Sequence, residues 1–417
     1  MKTTKHTLES RSVLVHIYFP STESTYEDLD EFKELATSAG ANIITVITGK
    51  RDTPDAKYFI GSGKAEELKQ AVVFYKPDLI IFNHNLSPSQ ERNLEKLLQC
   101  RIVDRTRLVL DIFAQRARSF EGRLQVELAQ LTHQATRLVR GWTHLERQKG
   151  GIGLRGPGET QLEEDRRVIK TKITTLKQQL EKVREQRRQS RKARQRNEIP
   201  VVALVGYTNA GKSTLFNKIT EARVYTADQL FATLDPTVRK IKLPVIGTIM
   251  LTDTVGFIHN LPPDLLHAFQ ATLEEVREAD LLLHVVDISD PNWRSNISIV
   301  NNILREIGAE KVPQLVVYNK IDLTPHIKLK TVYHRPGIPS SIRISATKPL
   351  GLPALKQAIQ KLLAQEYQSY DFVITPADAK LRAKLHELGA IVSEKIEENG
   401  NIHIVAKLHP QDFQRLS

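Results

Sequence analysis

The chain has 417 residues, a formal charge of +12, 40% hydrophobic residues and a single cysteine, Cys100. That length allows two to four domains with real cores. One cysteine excludes an internal disulfide framework or a cysteine-rich zinc site and fits a reducing cytosol. The opening residues 1–11 are mostly polar and charged, so no signal peptide is expected, and no apolar run approaches the length of a membrane span. A cytoplasmic protein, monomeric, is the expectation.

Residues 12–115 alternate strands and helices. Short strands are expected at 13–18, 42–47, 79–82 and 101–103, and helices at 26–39, 63–75 and 87–99, which makes an α/β domain. Within it, Gly61-Ser62-Gly63-Lys64 resembles part of a phosphate loop. Tyr58 stands where the first glycine belongs and Ala65 where Ser or Thr belongs, so a helix-opening turn is the preferred reading over ATP binding.

Next come two heptad seams. Leu124, Leu128, Leu131, Ala135, Leu138, Trp142 and Leu145 form one, and Ile169, Ile173, Leu176, Leu180 and Val183 the other. Residues 150–158, with five glycines and a proline, separate them and break helix. The pattern predicts a long antiparallel helical hairpin whose second helix runs over 160–196. Residues 147–196 hold 16 Lys and Arg against 6 Asp and Glu, so most of the excess charge lies in this segment. Such concentration suggests a polyanionic partner. Arg147, Lys149 and Arg155 at the glycine-rich tip favour RNA contact; a solvated face or a protein partner is the alternative. The run 187–196 has neither glycine nor aromatic residue, which suits phosphate contacts rather than base stacking.

The most informative string is Gly206-Tyr207-Thr208-Asn209-Ala210-Gly211-Lys212-Ser213, which follows an apolar strand at 201–205 and opens a helix. This is G-x-x-x-x-G-K-[ST] in its required strand–loop–helix context. Loop amides and the helix N-terminus face phosphates, Lys212 reaches the β- and γ-phosphates, and the Ser213 hydroxyl binds Mg²⁺. After a strand at 249–252 comes Asp253-Thr254-Val255-Gly256. Here Asp253 can hold Mg²⁺ through water, and the Gly256 amide can approach the γ-phosphate. After a strand at 314–318 comes Asn319-Lys320-Ile321-Asp322, whose carboxylate can accept both guanine N1 and N2 donors and so reject ATP. Ser345-Ala346-Thr347 should face the guanine oxygen; Thr347 departs from the lysine common there, which puts base stacking in doubt. Between the first two motifs, Phe231-Ala232-Thr233-Leu234-Asp235-Pro236-Thr237 is the expected switch. Thr233 is the favoured Mg²⁺ ligand and Thr237 the alternative. Lys212, Thr233, Asp253 and Gly256 are the expected catalytic groups. Phe257 stands where many GTPases place a water-orienting glutamine, so unaided hydrolysis should be slow. Asn209 fits a potassium ion beside the phosphates as well as it fits a left-handed backbone.

Together these strings resemble the HflX family of translation-associated GTPases over about residues 1–365. The resemblance implies binding of GTP with Mg²⁺, association with the large (50S) ribosomal subunit and its rRNA, and a helical arm that reaches toward the peptidyl-transferase centre. It also implies GTP-dependent splitting or rescue of stalled ribosomes, with hydrolysis stimulated by the ribosome. A GTPase of tRNA modification would carry a C-terminal cysteine, and a KH-type assembly GTPase a G-x-x-G loop near its C-terminus; neither is present. A vestigial nucleotide site is disfavoured by the presence of Lys212, Ser213, Asp253 and Asp322.

The C-terminal residues predict a strand at 372–374, a helix at 378–388, and strands at 391–397 and 402–408 joined through Asn399-Gly400. The expected architecture is therefore α/β: an N-terminal α/β domain (1–115), a long antiparallel helical hairpin (116–198), a P-loop GTPase domain (199–366) and a small α+β C-terminal module (367–417).

Overall fold

The computed structural model describes residues 10–20, 26–141, 157–196, 199–221, 230–231, 233–244, 246–258, 270–348, 350–364, 368–375, 379–387, 390–396 and 401–408. The chain forms two compact units. The first comprises Met1–Arg187 with Gln229–Phe231 and Asn260–Phe269; the second comprises Arg188–Asp228, Ala232–His259 and Gln270–Ser417.

In the first unit, β1 (Ser10–Tyr18), β2 (Ala41–Lys50), β3 (Leu79–Phe82) and β4 (Arg101–Val103) form a parallel sheet in the order β2-β1-β3-β4. Consecutive residues Val13, Leu14 and Val15 are all buried, as expected for a strand covered on both faces. The crossovers are α1 (Tyr26–Ser38), α2 (Ser62–Tyr75) and α3 (Pro88–Leu98). Ser87 and Gln90 close a capping box at the start of α3, with Pro88 at its first turn. Gly61 is the N-cap of α2, and Lys64 pairs with Glu67 at 2.7 Å. The glycine–lysine string thus opens a helix.

In this unit the sequence reading lacks helix α4 (Arg105–Arg116), capped by Asp104, whose carboxylate accepts the Arg107 N–H at 2.9 Å. Leu108, Val109, Leu110, Ile112 and Phe113 are all buried. A helix covered on most sides has no apolar stripe for periodicity to detect. The hairpin follows, with α5 (Phe120–Gly141) and α6 (Pro157–Arg196). Leu124, Leu176 and Leu180 form one buried cluster with Leu128 and Leu131 packed against it. Arg187 pairs with Glu121 at 2.7 Å, so the helices run antiparallel with the two predicted seams facing. Helix α6 starts at Pro157 rather than residue 160 because proline suits a first helical position, and its 40 residues extend about 60 Å. Trp142, Leu145 and the tip as far as Gly156 lie outside the described residues.

In the second unit, β5 (Val201–Val205), β6 (Thr237–Leu243), β7 (Gly247–Asp253), β8 (Leu281–Asp287), β9 (Gln314–Asn319), β10 (Thr331–Arg335) and β11 (Ile338–Arg343) form a sheet ordered β10-β11-β9-β8-β5-β7-β6. The five central strands are parallel, while β6 and β10 run antiparallel on the edges. Strand β6 shares only Thr237 with the expected switch and is not foreseen in the sequence reading; its edge position leaves Arg239, Lys240 and Lys242 exposed. Helix α7 (Lys212–Thr220) follows β5, where the strand order reverses, which is where open α/β sheets bind ligands. His284 is buried in β8; desolvation pulls its imidazole down to about 4, so it is neutral. The C-terminal module has β12 (Gln368–Ile374), β13 (Ile391–Ile396) and β14 (Ile402–Leu408) in the antiparallel order β12-β14-β13. The helix Ala379–Glu387 contributes Leu385 to a small core with Ile374, Ala390, Ile404 and Ala406. Asn399-Gly400 lies outside the described residues. Among the described residues, no helix is long and apolar enough to cross a membrane.

Candidate nucleotide site

The phosphate loop leaves the buried end of β5 through Gly206 (φ 151°), where a Cβ would collide with the Val285 carbonyl. Gly211 (φ 89°) caps α7, and a Cβ there would strike the Asn319 amide. Both positions therefore demand glycine. Asn209 also has a left-handed backbone (φ 59°), Ala210 is buried, and Tyr207 bridges in parallel to Phe257. Lys212 is buried, and its Nζ donates to the carbonyls of Gly206 (3.1 Å) and Tyr207 (2.7 Å). Burial lowers this lysine to about 8 despite the opposing pull of Asp253. Its ammonium is thus desolvated and satisfied by neutral carbonyls, an environment that anionic phosphates would improve.

Beside it, Ser213 Oγ donates to Asp253 Oδ2 at 2.6 Å and lies 2.7 Å from Thr233 Oγ1. Thr233 Oγ1 also donates to Asp253 Oδ2, at 3.1 Å. The other oxygen, Asp253 Oδ1, is buried without a hydrogen-bond partner. Burial raises the Asp253 pKa more than Ser213, Lys212 and Thr233 lower it. Two hydroxyls and a carboxylate with a spare buried oxygen are hard donors, and they fit Mg²⁺. Ser213 and Thr233 would ligate it and Asp253 would hold its water. Thr237 instead opens β6, opposite Asp253 in the antiparallel ladder. Thr254 Oγ1 donates to the Leu204 carbonyl at 2.5 Å, and Val255 is buried. The peptide after Gly256 is stitched to the loop: Phe257 N–H donates to Gly206 O (3.1 Å) and Thr208 N–H to Phe257 O (2.8 Å).

The switch string divides. Thr233 joins Ser213, Leu234 is buried and Asp235 is part-exposed. Phe231, however, belongs to the first unit, where its buried ring meets Phe113 edge-on at 4.7 Å. Ala232 lies outside the described residues.

At the base end, Asn319 wires three motifs together. Its Nδ2 donates to Ala210 O at 2.9 Å, and its Oδ1 accepts the Ala346 N–H at 2.9 Å. Ile321 and Ser345 are buried, and Thr347 is exposed. Asp322 Oδ1 is buried without a partner, an acceptor suited to a guanine donor. Sequence reasoning missed Asp287, whose Oδ2 lies 2.6 Å from Lys320 Nζ and whose Oδ1 accepts from Ser289. Register explains the meeting: parallel β8 and β9 end with Asp287 opposite Asn319, one residue before Lys320. The available signal was an aspartate near the end of the apolar run 281–288.

A largely parallel sheet with a phosphate loop at its switch point, two hydroxyls gathered on the Asp253 carboxylate and an unpartnered buried oxygen on Asp322 is the layout of a P-loop GTPase. Three family models match in succession: GTP-binding GTPase N-terminal over residues 26–114, GTP-binding GTPase Middle Region over 116–194, and 50S ribosome-binding GTPase over 201–320. GTPase HflX of Escherichia coli (strain K12) is 52% identical over 406 residues, covering 97% of this chain and 95% of the relative. GTPase HflX of Caldanaerobacter subterraneus subsp. tengcongensis is 47% identical, covering 98% and 93%. Among solved structures, the SsGBP–GDP complex aligns at 27% identity and a TM-score of 0.47, over 85% of this chain and 99% of that one. The chain belongs to the HflX family of GTPases, and it hydrolyses GTP.

Proposed function

We propose that this GTPase binds the large ribosomal subunit in its GTP form and splits or rescues stalled ribosomes, with a role in ribosome assembly as the secondary reading. Ribosome contact would stimulate an intrinsically slow hydrolysis. The observation that carries the proposal is the charge on α6. Arg166, Arg167, Lys170, Lys172, Lys177 and Lys182 are exposed along a helix whose opposite face is sealed by Leu176 and Leu180. The names of the matched relatives and of the 50S ribosome-binding GTPase model support the same partner. In this reading the four segments 1–115, 116–198, 199–366 and 367–417 act as separate parts, in a cytoplasmic monomer.

The site residues follow in role. Loop amides and Lys212 hold the phosphates, and the Gly256 amide meets the γ-phosphate. Mg²⁺, held at Ser213 and Thr233, would neutralise phosphate charge. Thr233, which lies against Ser213 and Asp253, would close on the Mg²⁺ while the γ-phosphate is present and so report which nucleotide is bound. Asp322 selects guanine. Asn209 would carry K⁺ against the phosphates, in which case turnover is faster in potassium than in sodium buffer; equal rates would remove that ion. The main test is light scattering of 70S ribosomes mixed with the protein and GTP. Wild-type protein should lower the scattering, and a variant lacking residues 148–158 should not, while both bind GTP equally. Splitting by the deleted form would refute the arm's role.

A further inference from the structure

The reaction needs a group to hold the attacking water, and the usual position cannot supply one. Phe257 is 1% exposed and sits in the core, and a phenyl ring neither donates nor accepts a hydrogen bond to water. The neighbouring polar side chain is Thr208. It is 6% exposed, and its Oγ1 is buried with no hydrogen-bond partner. An unsatisfied hydroxyl in a folded protein is a cost that calls for a reason. Threonine side chains in such loops readily find a nearby carbonyl, yet this one does not.

Its surroundings supply the reason. The Thr208 N–H is committed to the Phe257 carbonyl at 2.8 Å, which fixes the residue against the Asp253–Gly256 loop. A Cβ placed on Gly256 would come within 2.9 Å of Thr208 Cα and Cγ2 and within 3.1 Å of Lys212 Nζ. Thr208 therefore stands beside the two groups assigned to the γ-phosphate, the Gly256 amide and the Lys212 ammonium. Glycine at 256 is what lets them meet. Phe257, buried in the core, leaves this space to the Thr208 side chain, whose Cγ2 lies at Gly256.

We propose that the Thr208 hydroxyl is a catalytic group of this GTPase, holding the nucleophilic water against the γ-phosphate. A hydroxyl is both acceptor and donor, as a glutamine amide is. Oγ1 accepts one O–H of the water and gives its own proton to a γ-phosphate oxygen as a hydrogen bond. Attack forms a bond from the water oxygen to the γ-phosphorus, and the bond to the β–γ bridging oxygen breaks with its electron pair leaving on GDP. Both water protons depart on the inorganic phosphate. Thr208 is unchanged at the end of the cycle. Since the hydroxyl acts on the water, its removal slows the chemical step and leaves nucleotide affinity alone.

The experiment is single-turnover GTP hydrolysis by the full chain without ribosomes, so that it is independent of the ribosomal reading. Thr208→Val keeps the shape and removes the hydroxyl; Thr208→Ser keeps the hydroxyl and removes the methyl. The proposal expects Thr208→Val to slow hydrolysis by about 10- to 100-fold, with GDP and a non-hydrolysable GTP analogue bound as by the wild type. Thr208→Ser should restore most of the rate. Wild-type hydrolysis by Thr208→Val would overturn the proposal. So would a loss of GDP and analogue affinity matching the loss of rate, which would mean that the hydroxyl serves only the shape of the loop.

Discussion

The nucleotide site and the helical arm are built on opposite physical plans. In the site, polar groups are buried and face named partners: Lys212 its carbonyls, Asp253 Oδ2 its hydroxyls, Asn319 the Ala210 carbonyl and the Ala346 amide. In the arm, charge is exposed, and an apolar seam of a few leucines holds the helices together. Buried polar networks fix geometry and depend on every member. Exposed charge acts additively and is screened by salt. Single substitutions should therefore be severe in the first region and graded in the second.

The largest effect is expected from Lys212→Ala. Removing the buried ammonium should weaken GTP and GDP binding by about 100-fold or more, read by titration of a fluorescent nucleotide. Affinity within a few-fold of wild type would take Lys212 out of the phosphate site. Next, Asp322→Asn should move preference from guanine toward xanthine nucleotides, by about 100-fold in the affinity ratio. Retained GTP selectivity would show that Asp322 Oδ1 does not meet the base. In the arm, Leu180→Ala should destabilise the hairpin by about 2 kcal/mol, at the low end for a buried leucine because the seam is short. Lower thermal stability with unaltered nucleotide affinity would mark the two regions as separable. Nucleotide binding lost in parallel would make the arm part of the site. The smallest single-site effects should come from Arg166→Gln, Lys170→Gln or Lys177→Gln. Each should weaken ribosome binding modestly and reduce the slope of log affinity against log salt by about 0.7 to 0.9. A flat salt dependence would exclude phosphate contacts along α6.

The same contrast governs what could be read from sequence. The phosphate loop, Asp253–Gly256 and Asn319–Asp322 were legible because each must be an unbroken string at a strand end, and β5, β7 and β9 place them together. The seam of α6 was legible because Ile169, Ile173, Leu176, Leu180 and Val183 are less exposed than their neighbours. Contacts between strings left no trace in either. Asp287 meets Lys320 only through β-sheet register, and the Phe231 ring meets Phe113, more than a hundred residues away. Helix α4 was invisible for the reason that makes it stable, burial around most of its surface. Thr233 is favoured over Thr237 from the switch string, and the fold puts it 2.7 Å from Ser213 while Thr237 pairs in the β6–β7 ladder.

The central claim is that nucleotide state, through Thr233, governs ribosome occupancy by the basic arm. Sedimentation of the full chain with purified 50S subunits through sucrose gradients tests it directly, with a non-hydrolysable GTP analogue, GDP or no nucleotide present. The account predicts stable co-migration with the analogue and little with GDP or none. Equal co-migration in all three conditions would contradict it.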